Sequence, residues 1–197
     1  MRGPLAPLTP DVAVASLYQE YLVTRQTGRA VRLSIERLIE ERSGPSITVI
    51  DFREVAVIDF SCADEIVARL LHDTLARPDG AARHYFMLDG MEEEHMDPVS
   101  SALERRGLAV AARTVKRQLV LLGRIEAEAR GIWDALSRAG QAAATDLAAR
   151  IDRDPVDCAR CLDRLDERRL VLGVGDVYAS LFSFLPQADT GPERGSA

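Results

Sequence analysis

The stretch ITVIDFREVAVIDFSCADEIVARLL, residues 47–71, carries the strongest structural signal in the chain. Its first residues, Ile47 to Phe52, are rich in β-branched side chains and predict a buried strand. Val55 to Ile58 predict a short second strand or a strand end. From Ser61 to Leu75 the apolar residues recur at helical spacing. The residues expected to face the core from that helix are Ile66, Val67, Leu70 and Leu71.

Strand and helix patterns alternate on both sides of this stretch. The elements predicted there are a weak strand at 11–20, an amphipathic helix at 27–42 with Thr27 as its candidate cap, a loop at 77–83, a strand at 84–90, a helix at 98–106 that ends at Gly107, and strands within 108–115 and 117–125. We therefore predict one α/β domain over residues 1–125, with its sheet covered mainly on one face.

The pattern changes near Glu126, where three helical segments precede a hairpin. The predicted helices are 126–140, 144–151 and 154–170, the last with Asp154 as cap and Pro155 in its first turn. Two short apolar strands surround Gly173-Val174-Gly175-Asp176, which is typical of a β-hairpin. Three helices followed by a hairpin predict a small α+β winged helix-turn-helix domain over residues 126–185. The small polar residues 186–197 predict a disordered tail.

Composition and charge narrow the class of protein. The chain has 197 residues and a net charge of -6, which disfavours a protein dedicated to coating nucleic acid. Prolines interrupt the opening residues, so they do not read as a secretory signal, and no window approaches the ~18 apolar residues of a membrane span. We expect a cytoplasmic protein with no membrane contact and with its three cysteines reduced.

Residues 47–71 resemble the STAS group, to which bacterial anti-sigma factor antagonists belong, and more closely resemble their STAS-like relatives. Those relatives read roughly as Asp-Phe, then serine, alanine and Asp-Glu across a strand, a turn and a helix. The resemblance extends over residues 12–125, and it implies a mixed sheet with helices. In the antagonists a partner kinase phosphorylates a serine at the start of this helix, and Ser61 corresponds to it. The leucine pattern beyond Glu126 is similar to that of MarR-like winged helices.

Ser61 has two interpretations, and both stay open. As a helix cap it would accept a backbone N–H of the first turn while Asp64 reached back to it, which is the reading we favour. As a phosphate acceptor it would benefit from the helix dipole, although Asp64 and Glu65 would repel the phosphate. We predict a partner-binding or phosphorylation surface formed by Asp59, Ser61, Asp64 and Glu65.

A second polar segment, TRQTGRAVR, lies at the start of the first predicted helix. Helix N–H groups together with arginines can hold a phosphate or an acidic partner. The candidate anion-binding residues are Arg25, Thr27, Gly28 and Arg29. A solvated helix face is the alternative, and the one that we favour.

The remaining reactive residues predict no catalytic or metal site. Cys62 has no accompanying base, and Cys158 with Cys161 lacks the second pair of ligands that zinc requires. The side chains of nearly consecutive residues diverge, so the candidate cluster of Glu92, Glu93, Glu94, His95 and Asp97 predicts a solvated surface. We therefore expect no metal, no cofactor and no enzymatic activity.

The winged helix can be judged by its charges. Residues 152–169 contain six acidic residues against five arginines, whereas a recognition helix should be mainly basic because phosphates dominate affinity. The candidate DNA-binding residues are Arg160, Arg164 and Arg168, acting within a homodimer. The leading hypothesis is a non-catalytic regulator whose STAS-like domain binds a protein, such as an anti-sigma-type serine kinase. The alternative is a DNA-binding regulator in which that domain senses or dimerises.

Overall fold

The structure is a computed structural model that describes residues 10–42, 44–76 and 83–185. Most of the loop predicted at 77–83, and the whole tail predicted at 186–197, lie outside the described residues.

The first part of the chain alternates strands and helices. In order it forms β1 (Asp11–Ser16), β2 (Tyr21–Leu22), α1 (Arg25–Glu40), β3 (Ser46–Asp51), β4 (Val57–Ile58), α2 (Phe60–Ala63), a π-helical segment (Asp64–Arg69), α3 (Leu70–Leu75), β5 (His84–Met91), α4 (Glu93–Arg105), β6 (Ala109–Thr114) and β7 (Leu119–Gly123). Because α2, the π-helical segment and α3 follow one another directly, we call them together the 60–75 helix.

The second part is mainly helical. It forms α5 (Ala127–Ala139), β8 (Gln141–Ala143), α6 (Ala144–Arg150), α7 (Pro155–Glu167), β9 (Val171–Val174), β10 (Val177–Ser180) and a 3₁₀ helix (Leu181–Phe184).

Five strands form a mixed sheet in the order β1-β3-β5-β6-β7. The first four are parallel and β7 is antiparallel to β6, so the predicted α/β class is confirmed. Each parallel connection steps across the sheet in the same direction, and right-handed crossovers then place α1, the 60–75 helix and α4 on one face. The four residues expected to face the core from the 60–75 helix are all buried.

The opposite face of the sheet is also covered, contrary to the prediction of a sheet covered mainly on one side. Ile47, Val49, Tyr85 and Met87 belong to a single apolar cluster with residues of α5, α6 and α7. Strand residues alternate between two faces, and these strands are apolar on both. Continuous apolar runs such as Ile47 to Phe52 are typical of strands that are buried on both faces. The sequence therefore already indicated a second layer of helices on the opposite face of the sheet.

The second part contains one strand that was not predicted, β8. It pairs antiparallel with β10, which pairs with β9, so the strand order is β8-β10-β9. Asp154 caps α7 as predicted, accepting the backbone N–H groups of Val156 and Asp157. Val156, in the first turn, is 65% exposed, and the buried residues of α7 are Cys158, Cys161, Leu162 and Leu165.

Helix α4 begins five residues earlier than the predicted start at Pro98. The backbone N–H of Glu92 donates to Nδ1 of His95 at 3.2 Å, which satisfies a group that the start of a helix leaves without a partner. Acidic residues at Glu93 and Glu94 also suit the positive end of the helix dipole. Pro98 lies in the second turn, and the helix continues through it.

Candidate partner-binding site

Asp59 caps the 60–75 helix, so the prediction that Ser61 caps it was wrong. Asp59 has an extended backbone, and its Oδ1 accepts the N–H of Cys62 at 2.8 Å. Ser61 lies in the first turn and donates its hydroxyl hydrogen to the same Oδ1 at 2.9 Å. Both side chains are half-buried, so the Ser61 hydroxyl reaches the surface beside the capping carboxylate.

Asp64 does not reach back to the start of the helix, as a capping box would require. Its Oδ1 accepts Nε of Arg106 at 3.0 Å, and its Oδ2 accepts Nη1 of Arg25 at 3.1 Å. It therefore joins the end of α4 to the start of α1. Burial opposes its ionisation, but the hydrogen bonds from Arg106 and Arg25 outweigh that cost and lower the pKa of Asp64.

Glu65 is the most deeply placed charge of the site, with its side chain 3% exposed. It accepts hydrogen bonds from Arg25 at 2.8 Å, from Arg32 at 3.3 Å and from Arg69 at 3.3 Å. Burial alone would raise its pKa, but the surrounding guanidinium groups, with Arg25 the strongest, hold the pKa of Glu65 below its usual value. Both carboxylates that follow Ser61 are thus neutralised by arginines.

Gly28 explains how α1 comes so close to the 60–75 helix. A Cβ atom added to Gly28 would lie 3.0 Å from Cα of Cys62 and 3.1 Å from Cβ of Glu65. A larger residue would push the two helices apart and stretch the bonds from Arg25 and Arg32 to Glu65. The role seen for Gly28 is therefore close helix packing.

The other candidate anion-binding residues lie around the contact between α1 and the 60–75 helix. Thr24, and not Thr27 as predicted, caps α1, because its Oγ1 accepts the backbone N–H of Thr27 at 3.2 Å. Arg25 is engaged by Asp64 and Glu65, and Arg29 is exposed on the first turns of α1. An anion at this position would have to compete with the two carboxylates for Arg25.

A shallow depression lies beside the start of the 60–75 helix, lined by Arg25, Phe60, Asp64, Arg105 and Arg106. The guanidinium of Arg105 lies 5.2 Å from the centre of the Phe60 ring, within the range of a cation–π contact. The sequence interpretation included neither Arg105, the last residue of α4, nor Arg106, which follows it. Arg32, the last residue of the polar segment TRQTGRAVR, lies seven residues after Arg25 and thus on the same face of α1.

At the carboxyl ends of the central strands, two more carboxylates are paired with arginines. Asp89 accepts two hydrogen bonds from Arg113, at 2.7 and 2.8 Å. Asp51 accepts Nε of Arg53 at 2.9 Å, and this hydrogen bond, stronger than the opposing effect of burial, lowers the pKa of Asp51. The Asp89–Arg113 pair joins the ends of β5 and β6, whereas Asp51 pairs with Arg53 just beyond the end of its own strand.

The candidate DNA-binding arginines are largely engaged by neighbouring groups. Arg160 pairs with Asp157 at 2.8 Å, and Arg168 contacts Glu126 at 3.4 Å. Arg168 also donates to the carbonyl of Arg124, while Arg164 is exposed. Along α7 the exposed charges are those of Asp157, Arg160, Asp163, Arg164 and Glu167, a surplus of one negative charge.

The cysteines are buried, and burial is the main cause that raises the pKa of each thiol. Within residues 10–42, 44–76 and 83–185, no three His, Cys, Asp or Glu side chains are arranged to hold a metal ion. Over the same ranges, no helix combines the length and the apolar character that crossing a membrane requires.

Comparison of the chain with protein-family models found no match. Comparison with curated proteins found no significant similarity.

Proposed function

We propose that this chain is a non-catalytic regulatory protein of the cytoplasm, with a STAS-like region that binds a protein partner at the start of the 60–75 helix. The partner class implied by the STAS resemblance is an anti-sigma-type serine kinase. Ser61 is the residue that such a kinase would modify, and Asp59, Asp64 and Glu65 surround it.

The observation that carries this proposal is the neutralisation of Asp64 and Glu65. From the sequence, these carboxylates were expected to repel a phosphate on Ser61. In the structure they bind Arg25, Arg32, Arg69 and Arg106. The acidic residues nearest to a modified Ser61 would therefore carry compensated charge, with Asp59 as the exception.

In this proposal, phosphorylation of Ser61 changes the partner-binding surface through its effect on Asp59. Phosphorylation removes the hydroxyl hydrogen that Ser61 donates to Asp59 and adds a group of charge near -2 beside that carboxylate. Repulsion would turn Asp59 away from the N–H of Cys62 and weaken the cap, at a cost of about 1 kcal/mol. The surface presented to the partner would then differ in charge, and the first turn of the 60–75 helix would be less stable.

The test uses the full chain, ATP and an anti-sigma-type serine kinase from the same organism, read out by intact mass and phosphosite mapping. We expect one phosphate, on Ser61, and none on Ser61→Ala. Ser34→Ala is the matched control, because Ser34 is exposed on α1 and, among the described residues, its hydroxyl bonds only the carbonyl of Ala30 within its own helix. Phosphate on another residue, or none, would refute the modification.

The order of elements in the second part favours a second candidate function, DNA binding by a winged helix. The order α5-β8-α6-α7-β9-β10, with β8 pairing to β10, is the arrangement in which α7 would be the recognition helix. The engaged arginines and the exposed acidic residues of α7 argue for a protein-binding winged helix instead.

The salt dependence of binding to promoter DNA separates these alternatives. A DNA-binding regulator should lose affinity steeply as salt rises, and Arg160→Ala with Arg164→Ala should abolish binding. Arg153→Ala is the control, because Arg153 pairs with Glu128 outside α7. Absence of salt-dependent binding by the full chain would exclude this function.

A further inference from the structure

Strand β1 forms an edge of the five-stranded sheet, and within the described residues it pairs only with β3. The N–H groups of Asp11 and Leu17 donate to the carbonyls of Pro45, just before β3, and Asp51, at its end. In a strand, successive residues turn their N–H and C=O groups to opposite sides. The odd-numbered residues therefore face β3, and the groups facing outward belong to Val12, Val14 and Ser16.

From Val12 onward, this edge has none of the features that usually prevent sheets from joining. Natural edge strands carry charges, prolines or bulges that block a second strand. Residues 12–19 contain no charged residue and no proline, and β1 pairs with β3 in unbroken register. The only charged side chain of β1, Asp11, lies at its first position and is paired with Arg42.

Apolar surface flanks the edge on both sides. Val14 is 54% exposed and Tyr18 is 81% exposed. Beneath β1, a groove of about 390 Å³ is lined partly by Leu17, Val31, Ile35 and Leu38. A strand added to this edge would cover the apolar surface and satisfy the outward backbone groups.

We propose that β1 pairs antiparallel with β1 of a second copy of this chain, joining two five-stranded sheets into one of ten strands. Antiparallel residues exchange both backbone hydrogen bonds only where both face outward, so even-numbered residues must oppose even-numbered residues. One register engages all three outward residues. It places Val14 on the two-fold axis against Val14 of the partner subunit, and Val12 against Ser16 of the partner subunit.

The edge is self-complementary to that of a second copy, because Val12, Val14 and Ser16 pair with the same three residues of the second copy in this register. Each chain carries a net charge of -6, so two copies repel one another over most approaches. The neutral segment 12–19 lets them meet without like charges in contact, since Asp11 would lie opposite Leu17 of the partner subunit. An isologous contact of this kind also closes at two copies and leaves no further edge at β1.

Engineered cysteines test the register. Opposed residues in a hydrogen-bonded antiparallel pair lie ~5.5 Å apart between Cα atoms, within the disulfide range. Val14→Cys in the full chain should form a disulfide-linked dimer on mild oxidation. Val57→Cys, 44% exposed on β4, is the matched control and should stay monomeric. The native cysteines are buried, so they add little background.

Two further experiments complete the test. Val12→Cys and Ser16→Cys should each cross-link poorly alone but efficiently when mixed, because each opposes the other. In sedimentation, Val14→Lys should weaken dimerisation at least tenfold by placing like charges in contact, with an unchanged circular dichroism spectrum. A monomeric wild-type chain, or equal cross-linking of Val14→Cys and Val57→Cys, would overturn the proposal and indicate that another segment or protein occupies the edge.

Discussion

Ser61 donates its hydroxyl hydrogen to Asp59, the residue that caps the helix to which Ser61 belongs. The two residues therefore have different structural roles. Asp59 satisfies the backbone of the first turn, and Ser61 orients Asp59 while keeping a half-exposed hydroxyl at the surface.

Substitutions at Asp59 and Ser61 should distinguish the capping role of Asp59 from the orienting role of Ser61. Asp59→Ala should lower the free energy of unfolding by about 1 kcal/mol, because the N–H of Cys62 loses its acceptor. Asp59→Asn should cost a few tenths, since asparagine also caps helices well. Ser61→Ala should cost less than about 0.5 kcal/mol, as it only removes a donor to Asp59. Urea unfolding measures all three, and a larger loss in Ser61→Ala would contradict this assignment.

Glu65→Gln should be among the most damaging single substitutions in the first part of the chain. It removes the charge shared by three arginines, and one of these, Arg32, is itself buried. We expect a loss of about 2 to 3 kcal/mol, below the full cost of breaking a buried ion pair because Arg32 keeps Glu36 as a partner. Asp73→Asn, which breaks a half-exposed contact to Arg69, should cost under about 1 kcal/mol.

Acid should destabilise the fold through the same carboxylates. The pKa values of Asp51, Asp64 and Glu65 are lowered in the folded chain. Their contribution is complete above the unfolded pKa values, near 4, and is lost as the pH falls through the folded ones. The free energy of unfolding should therefore decline below about pH 5. The curve of Glu65→Gln should be flatter there, and parallel curves would show that Glu65 does not contribute.

Gly123→Ala should destabilise the sheet far more than Gly107→Ala. Both glycines have positive φ, 89° and 68°, so both substitutions carry a conformational cost of about 1 to 2 kcal/mol. At Gly123 the added Cβ would also lie 2.4 Å from the carbonyl oxygen of Leu108, whereas nothing lies within 4 Å at Gly107. We expect a further loss of about 1 to 3 kcal/mol at Gly123 in thermal or urea unfolding. Equal losses would contradict the close contact.

Asp166→Asn should weaken the attachment of α7 to the sheet. Asp166 accepts Arg83 at 2.7 Å, the hydroxyl of Tyr85 at 3.4 Å and the N–H of Gly173 at 3.1 Å. We expect a loss of about 1 to 3 kcal/mol in urea unfolding. Asp163→Asn is the control and should cost less, because exposed Asp163 accepts only the hydroxyl of Tyr178 within the part of the chain that the structure describes. A smaller effect at Asp166 would count against this link.

Features set by neighbouring residues could be predicted from the sequence. Asp154 and Pro155 start α7 as expected, and helix α4 ends just before Gly107, because such signals act within one turn. The cap at Asp59 was missed because two capping residue types stand two positions apart, and spacing alone does not rank them. Strand β8 has only three residues, too few to show an alternating pattern.

The partners of the candidate site could not be predicted, because they come from distant parts of the chain. Glu65 binds Arg25 and Arg32, which precede it by 40 and 33 residues. Asp64 binds Arg106, which follows it by 42 residues. Local sequence shows an acidic pair and suggests repulsion of a phosphate. Only the packing of α1 and α4 against the 60–75 helix supplies the compensating charge.

The π-helical segment at 64–69 affects how this chain should be compared with others. A π-bulge amounts to one residue inserted into an α-helix, and it rotates everything beyond it by about 100° relative to an unbroken helix. A relative without the bulge would therefore be one residue shorter here. Its counterparts of Leu70 and Leu71 would be found one position earlier, so an ungapped alignment across residues 59–75 would match surface positions to core positions.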